Sequence, residues 1–155
     1  MYQPELMALA AKQAMANVTS GEGGPFGCVI VKDGQVVAAG HNRVLIDHDP
    51  SAHGEIVTMR QAGQVLGTHD LSGCVLYTSA YPCPMCLSAI IWANIKTVYY
   101  GNTAEDAAKI GFRDDAIYQY IEGGMRGDTL DLTQHDRAVT LPAFEAYQNQ
   151  NRTLY

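Results

Sequence analysis

The sequence predicts an α/β fold in which one mixed sheet is covered by helices on both faces. Three observations predict it. An amphipathic stretch opens the chain, a strong hairpin signal follows it, and helix–strand units then repeat to about residue 111. At 155 residues the chain suits one domain with a sizeable core. No repeat, low-complexity tract or linker divides it, so a single domain over 1–155 is expected.

Each element has its own signal. Leu6, Met7, Leu9, Ala10, Ala14 and Met15 approximate a helical stripe, which places a first helix at about 4–17. A Gly-rich loop, SGEGGPFG, comes next. FGCVIVKDGQVVAAG then gives two strand-like runs around Asp33-Gly34, a preferred hairpin pair. Asp49-Pro50-Ser51 reads as a helix start, with Asp49 or Ser51 as cap, and the helix AHGEIVTMRQA is expected to stop at Gly63. CVLYTS (74–79) is a short strand, Pro84 can occupy the first turn of a helix reaching about Ala93, and TVYYG (97–101) reads as a buried parallel strand. Thr103 is placed to cap a helix ending at Gly111. The last forty residues mix short helices with a candidate strand, TLDLT.

Composition narrows the function. The chain is 47% hydrophobic and 17% charged, with a formal net charge of −6 and a pI of about 5.2. That argues against nucleic acid as the main partner, because phosphate binding wants clustered Lys and Arg. No apolar run approaches the roughly 20 residues of a membrane span. The N-terminal stretch lacks a basic region and carries Lys12 inside its apolar part, so it reads as an amphipathic helix rather than a signal peptide. A cytoplasmic location is expected. In that reducing compartment a stable disulfide is disfavoured, and a tight Cys pair points to metal or catalysis.

Cys83 and Cys86 form that pair, in PCPMC, Cys83 directly after Pro82 and Cys86 two residues after Pro84, ahead of an apolar helical run. Three residues apart on a helical turn, their sulfurs can share one side, and a helix N-terminus favours thiolate over thiol. His53 sits near the start of another helix. Two thiolates and one imidazole make three Zn²⁺ ligands and leave a fourth position for water, the pattern of a catalytic site. Glu55, two residues after His53, is placed to lean over the metal, take a proton from water and return it to a substrate nitrogen. Cys28 and Cys74 lie in strand-like runs and read as core residues. His41, His48, His69 and His135 lack ligand spacing and read as loop or surface residues. Trp92 reads as packing.

The pattern H-x-E followed by P-C-x-x-C is the signature of the zinc nucleobase deaminases. Over nearly its whole length the chain resembles the cytidine deaminase-like superfamily, and within it the bacterial guanine deaminase family. The likeness is carried by GGPFG, NRV at 42–44, DPSAHGE, PCPMC, IIWA, GFRDDAIY (111–118) and a C-terminal Tyr. The resemblance implies a three-layer α/β/α sandwich around a five-stranded mixed sheet, and one catalytic Zn²⁺ per subunit with a bound water. It implies deamination of a free nucleobase, guanine first, to xanthine and ammonia. It also implies a homodimer with an exchanged C-terminal segment, about 125–155. In that reading Phe26 and Phe112 pack on the base and Asn42 hydrogen-bonds it. The backbone N–H of Gly54 meets a substrate carbonyl, Asp114 helps handle the amine, and Tyr155 closes the partner's pocket. From the residues alone other readings stand. Phe26 and Phe112 suit a core, Asn42 a turn, Asp114 or Asp115 a helix cap, and Tyr155 a frayed terminus.

Two positions depart from the family's pattern. Gly54 stands where Ala is usual, and Tyr81 stands where Glu is usual before Pro-Cys. Both look more like fungal cytosine deaminases, so the front of the site leans towards a pyrimidine and the tail towards guanine. Isocytosine, with guanine's 2-amino-4-oxo pattern, satisfies both. Cytosine and guanosine are further substrates to test. A tRNA adenosine deaminase shares the zinc motifs but needs a positive RNA surface. A catalytically inactive zinc-binding module would not need Glu55.

Overall fold

Strand β1 (Gly27–Lys32) sorts its side chains onto two faces, and the layers of the molecule follow from that alternation. The computed structural model describes residues 1–155. β1 pairs antiparallel with β2 (Gln35–His41). Asp33 and Gly34, which join them, both take positive φ, 50° and 75°, as the expected two-residue turn requires. β3 (Cys74–Ala80) runs antiparallel to β1 on its other side, and β4 (Thr97–Asn102) lies parallel to β3. The sheet order is β2-β1-β3-β4.

Val29, Val31 and Tyr77 meet Leu6 and Ala10 of helix α1 (Pro4–Ser20) on one face. Cys28, Ile30 and Leu76 point the other way. They pack on Met59 and Ala62 of helix α3 (Gly54–Leu66) and on Ile90 of α4 (Pro84–Trp92). Helix, sheet and helix therefore make three layers. Between β2 and α3 lies a short helix, α2 (Val44–Asp47), that the sequence reading did not anticipate. α5 (Ala104–Lys109) follows β4, capped as expected by Thr103 in a reciprocal box with Asp106. α6 (Asp114–Glu122) and α7 (Arg137–Gln148) complete the chain. No helix is long and apolar enough to cross a membrane.

Four expectations change. The third helix is not capped by Asp49 or Ser51: Asp49 Oδ1 accepts from the Ser51 N–H (2.8 Å) and hydroxyl (2.7 Å), closing a turn ahead of the helix. α3 instead starts with His53 at its N-cap and runs through Gly63 to a left-handed Gly67. β4 is a partly exposed edge strand rather than a buried one. The sheet has four strands, not five, because TLDLT (129–133) is not a strand. It lies in a C-terminal unit, Tyr120–Tyr155, distinct from the compact unit Met1–Gln119, and that unit holds no strand for it to pair with. Trp92, expected as packing, is 64% exposed.

Candidate active site

Two helix starts supply the metal-ligating side chains. His53 and Cys83 are the N-cap residues of α3 and α4, both with extended backbone. Cys86 follows in the first turn of α4, where its backbone N–H reaches Cys83 Sγ at 3.5 Å. Each helix thus directs the positive end of its dipole towards its own ligand. His53 Nδ1 lies 3.4 Å from Cys83 Sγ and 3.6 Å from Cys86 Sγ, and all three donor atoms fall within 4.8 Å of one another. Zinc bonds of about 2.0–2.1 Å to N and 2.3 Å to S at a tetrahedral angle put N and S roughly 3.5–3.6 Å apart. The donor set and its spacing therefore fit a catalytic zinc site. The Cys83 thiol is pulled down to about 4, first by the hydrogen bond from Cys86 and then by His53. Cys86, the donor of that bond and buried near Glu55, is pushed up. His53 is raised by its contact with Cys83.

Glu55, in the first turn of α3, is 5% exposed and stands outside the ligand set. Thr78 donates its hydroxyl to Glu55 Oε1 at 2.6 Å, and the Cys86 thiol reaches Oε2 at 3.3 Å. Burial raises the carboxyl's pKa, which suits a group that must both accept and give a proton.

A small cleft opens beside this group. His53, Glu55 and Cys83 form its floor, and Phe26, Phe112, Asn42, Asp114 and Tyr81 its walls. The rings of Phe26 and Phe112 meet edge to face, with centroids 4.7 Å apart at 86°. The Gly-rich loop makes room for this wall. A Cβ on Gly24 would stand 2.8 Å from Phe112 Cζ, and one on Gly23 only 2.0 Å from Asn42 Oδ1. Buried Asn17 of α1 ties the same parts together, donating to the carbonyls of Gly24 (2.8 Å) and Asn42 (2.7 Å). Asn42 is itself a turn residue, its Oδ1 accepting the Val44 N–H, and lines the cleft as well.

The profile of the cytidine and deoxycytidylate deaminase zinc-binding region matches residues 1–102. The chain belongs to this deaminase family. It is 45% identical to guanine deaminase of Bacillus subtilis (strain 168) over 96% of both chains. The X-ray structure of guanine deaminase from Bacillus subtilis superposes on it with a TM-score of 0.92 at 42% identity, covering 100% of this chain and 99% of that one. A guanine deaminase from Nitrosomonas europaea gives 0.67 at 33% identity, covering 74% and 66%. The tRNA-specific adenosine deaminase of Agrobacterium fabrum is 44% identical, over 50% of this chain and 51% of its own. The chain is thus a zinc deaminase, a hydrolase of cyclic amidine C–N bonds.

In this deaminase the structure gathers most of the residues singled out from sequence. His53, Glu55, Cys83, Phe26, Asn42, Phe112 and Asp114 line one cleft, with Cys86 beneath it. Asp114 rather than Asp115 faces the cleft; Asp115 is exposed and accepts the Ala116 N–H. Burial, and then the nearby Cys83, raise the Asp114 carboxyl. Gly54 is not among the lining residues, and a Cβ there would press on the Phe26 carbonyl at 3.0 Å instead of filling the cleft. Tyr155 lies in the C-terminal unit and is 80% exposed. His41, expected on a loop or the surface, is a half-buried residue of β2 bonded to Gln13 and Glu22. Three supporting residues escaped the sequence reading. Thr78 and Asn17 have no motif to mark them among the other polar residues of β3 and α1. Tyr118, whose hydroxyl donates to the Pro82 carbonyl at 2.6 Å, closes the segment GFRDDAIY, which does offer a signal.

Proposed function

We propose that this deaminase converts free guanine and water to xanthine and ammonia. The observation that carries the reading is the full-length match to a guanine deaminase, C-terminal region included, whereas the match to a tRNA-specific enzyme spans half the chain. The cleft supports it: an edge-to-face aromatic pair to grip a flat base, Asn42 to hydrogen-bond it, and two carboxyls beside the metal ligands.

Zinc, held by His53, Cys83 and Cys86, supplies the Lewis acidity that makes water nucleophilic at neutral pH. Glu55 takes a proton from the attacking water as its oxygen adds to the amine-bearing ring carbon. The same carboxyl hands that proton to the adjacent ring nitrogen. The tetrahedral adduct then collapses with loss of ammonia, Glu55 and Asp114 moving the proton that the amine needs to leave. Phe26 and Phe112 hold the ring plane, and Asn42 recognises its polar edge. Tyr81 in the cleft wall favours isocytosine, a smaller ring with the same 2-amino-4-oxo pattern, as the second reading.

The functional particle in this proposal is a homodimer that exchanges its C-terminal segment, Tyr155 closing the partner's cleft. The support is that no residue of Tyr120–Tyr155 is buried, with Leu132, Val139 and Phe144 each over 70% exposed. A unit this short does not hold a core alone below about 40 residues. None of the four cysteines is in a disulfide, which suits a cytoplasmic setting.

The test is ammonia release from guanine, isocytosine, cytosine, guanosine and an anticodon-loop RNA, assayed side by side. Guanine should give the highest kcat/KM. A higher value for isocytosine would replace the substrate, and preferential inosine formation in the RNA would overturn the free-base reading.

A further inference from the structure

The proton shuttle has two oxygens, and only one of them can serve the reacting water. Oε2 of Glu55 faces the metal ligands, 3.3 Å from Cys86 Sγ. Oε1 is held from behind by Thr78 Oγ1 at 2.6 Å, a short bond to a buried carboxyl. Thr78 is 1% exposed and sits on β3, an interior strand hydrogen-bonded to β1 and β4 on its two sides, so its backbone has little freedom. Its hydroxyl also lies 3.1 Å from the Ala80 carbonyl, three residues before Cys83. The short bond from Thr78 therefore pins Oε1 and leaves Oε2 turned towards the metal ligands.

From this geometry we propose that Thr78 is a positioning residue for the deamination: its hydroxyl fixes Glu55 so that one oxygen stays aimed at the reacting water throughout turnover. The role rests on the guanine deaminase reading, and ammonia release from guanine by the unaltered protein is the control that separates failure of one from failure of the other. Thr78 touches neither cleft nor metal ligand, so its loss should act on kcat and leave substrate binding alone.

The experiment compares Thr78→Val, which keeps the shape and removes the hydroxyl, with Thr78→Ser, which keeps the hydroxyl and removes the methyl. Both are made as full-length, zinc-loaded protein. Losing one hydrogen bond to a charged group predicts a kcat about 10–100-fold lower for Thr78→Val. Its KM for guanine should stay within about twofold of the parent's and its zinc content at one per chain, while Thr78→Ser recovers most of kcat. Thr78→Ala supplies the comparison if the Val variant does not fold. An undiminished kcat in the hydroxyl-free variant would overturn the proposal. So would a Ser variant as impaired as Val, since that would assign the effect to packing.

Discussion

Two glycines set how closely the cleft walls can approach, and they show how much of this site depends on side chains that are absent. A Cβ on Gly23 would occupy the space of the Asn42 amide, at 2.0 Å from its Oδ1, so Asn42 would have to leave its place against the Val44 N–H. Overpacking of this kind costs about 1–3 kcal/mol, and about 1.4 kcal/mol is tenfold in affinity. Gly23→Ala is therefore expected to raise KM for guanine about tenfold or more, with a smaller effect on kcat, as read by steady-state kinetics. An unchanged KM would mean that Asn42 does not hold the base. Glu55 was legible from its spacing to His53, because a two-residue offset at a helix start fixes where the carboxyl can go. Thr78 was not: a threonine in a strand looks the same in sequence whether its hydroxyl meets a carboxylate or a neighbouring carbonyl. Tyr81 could be seen as a departure, but the edge-to-face packing of its ring on Tyr100, with centroids 5.0 Å apart, is set by the pairing of β3 with β4.

At the scale of elements, the turn that carries Cys83 is braced by a helix far along the chain. Pro82 is buried, and its carbonyl lies before the N-cap of α4, outside the helical ladder. Tyr118 of α6 supplies the donor, at 2.6 Å. Burial, and then the neighbouring Tyr81, raise the phenol's pKa, so it remains a donor through the neutral range. Tyr118→Phe strands that carbonyl and should lower unfolding free energy by about 1–3 kcal/mol, seen as a lower urea midpoint with an unchanged slope; an unmoved midpoint would show that solvent serves the carbonyl equally well. Elements with a local signal were legible: the Asp33-Gly34 turn, the Pro84 start of α4 and the Thr103 cap. The start of α3 was not, since Asp49 and Ser51 bond each other, and the first helical residue is instead settled by the packing that brings His53 to Cys83. The burial of β4 was misread because its apolar run is that of an interior strand, while its place at the sheet edge depends on what pairs with it.

For the whole molecule, the three-layer core was legible because β1 alternates between two faces that are both apolar, whereas the C-terminal unit was not, because its apolar residues have no counterpart within the unit itself. The exchanged-dimer proposal predicts a scattering mass of twice 16.8 kDa for the full chain. It further predicts that removing residues 149–155 lowers kcat/KM for guanine at least tenfold with zinc retained, by loss of Tyr155 from the partner's cleft. A monomer of full activity, or an undiminished kcat/KM after truncation, would remove that role. The central claim, that Glu55 beside a His53–Cys83–Cys86 zinc site deaminates guanine, is tested most directly by measuring ammonia release from guanine and bound zinc together, for the parent and for Glu55→Gln. The account predicts one zinc per chain in both and a rate about 10²–10⁴-fold lower in the variant. Near-normal ammonia release from zinc-loaded Glu55→Gln, or none from the zinc-loaded parent, would contradict it.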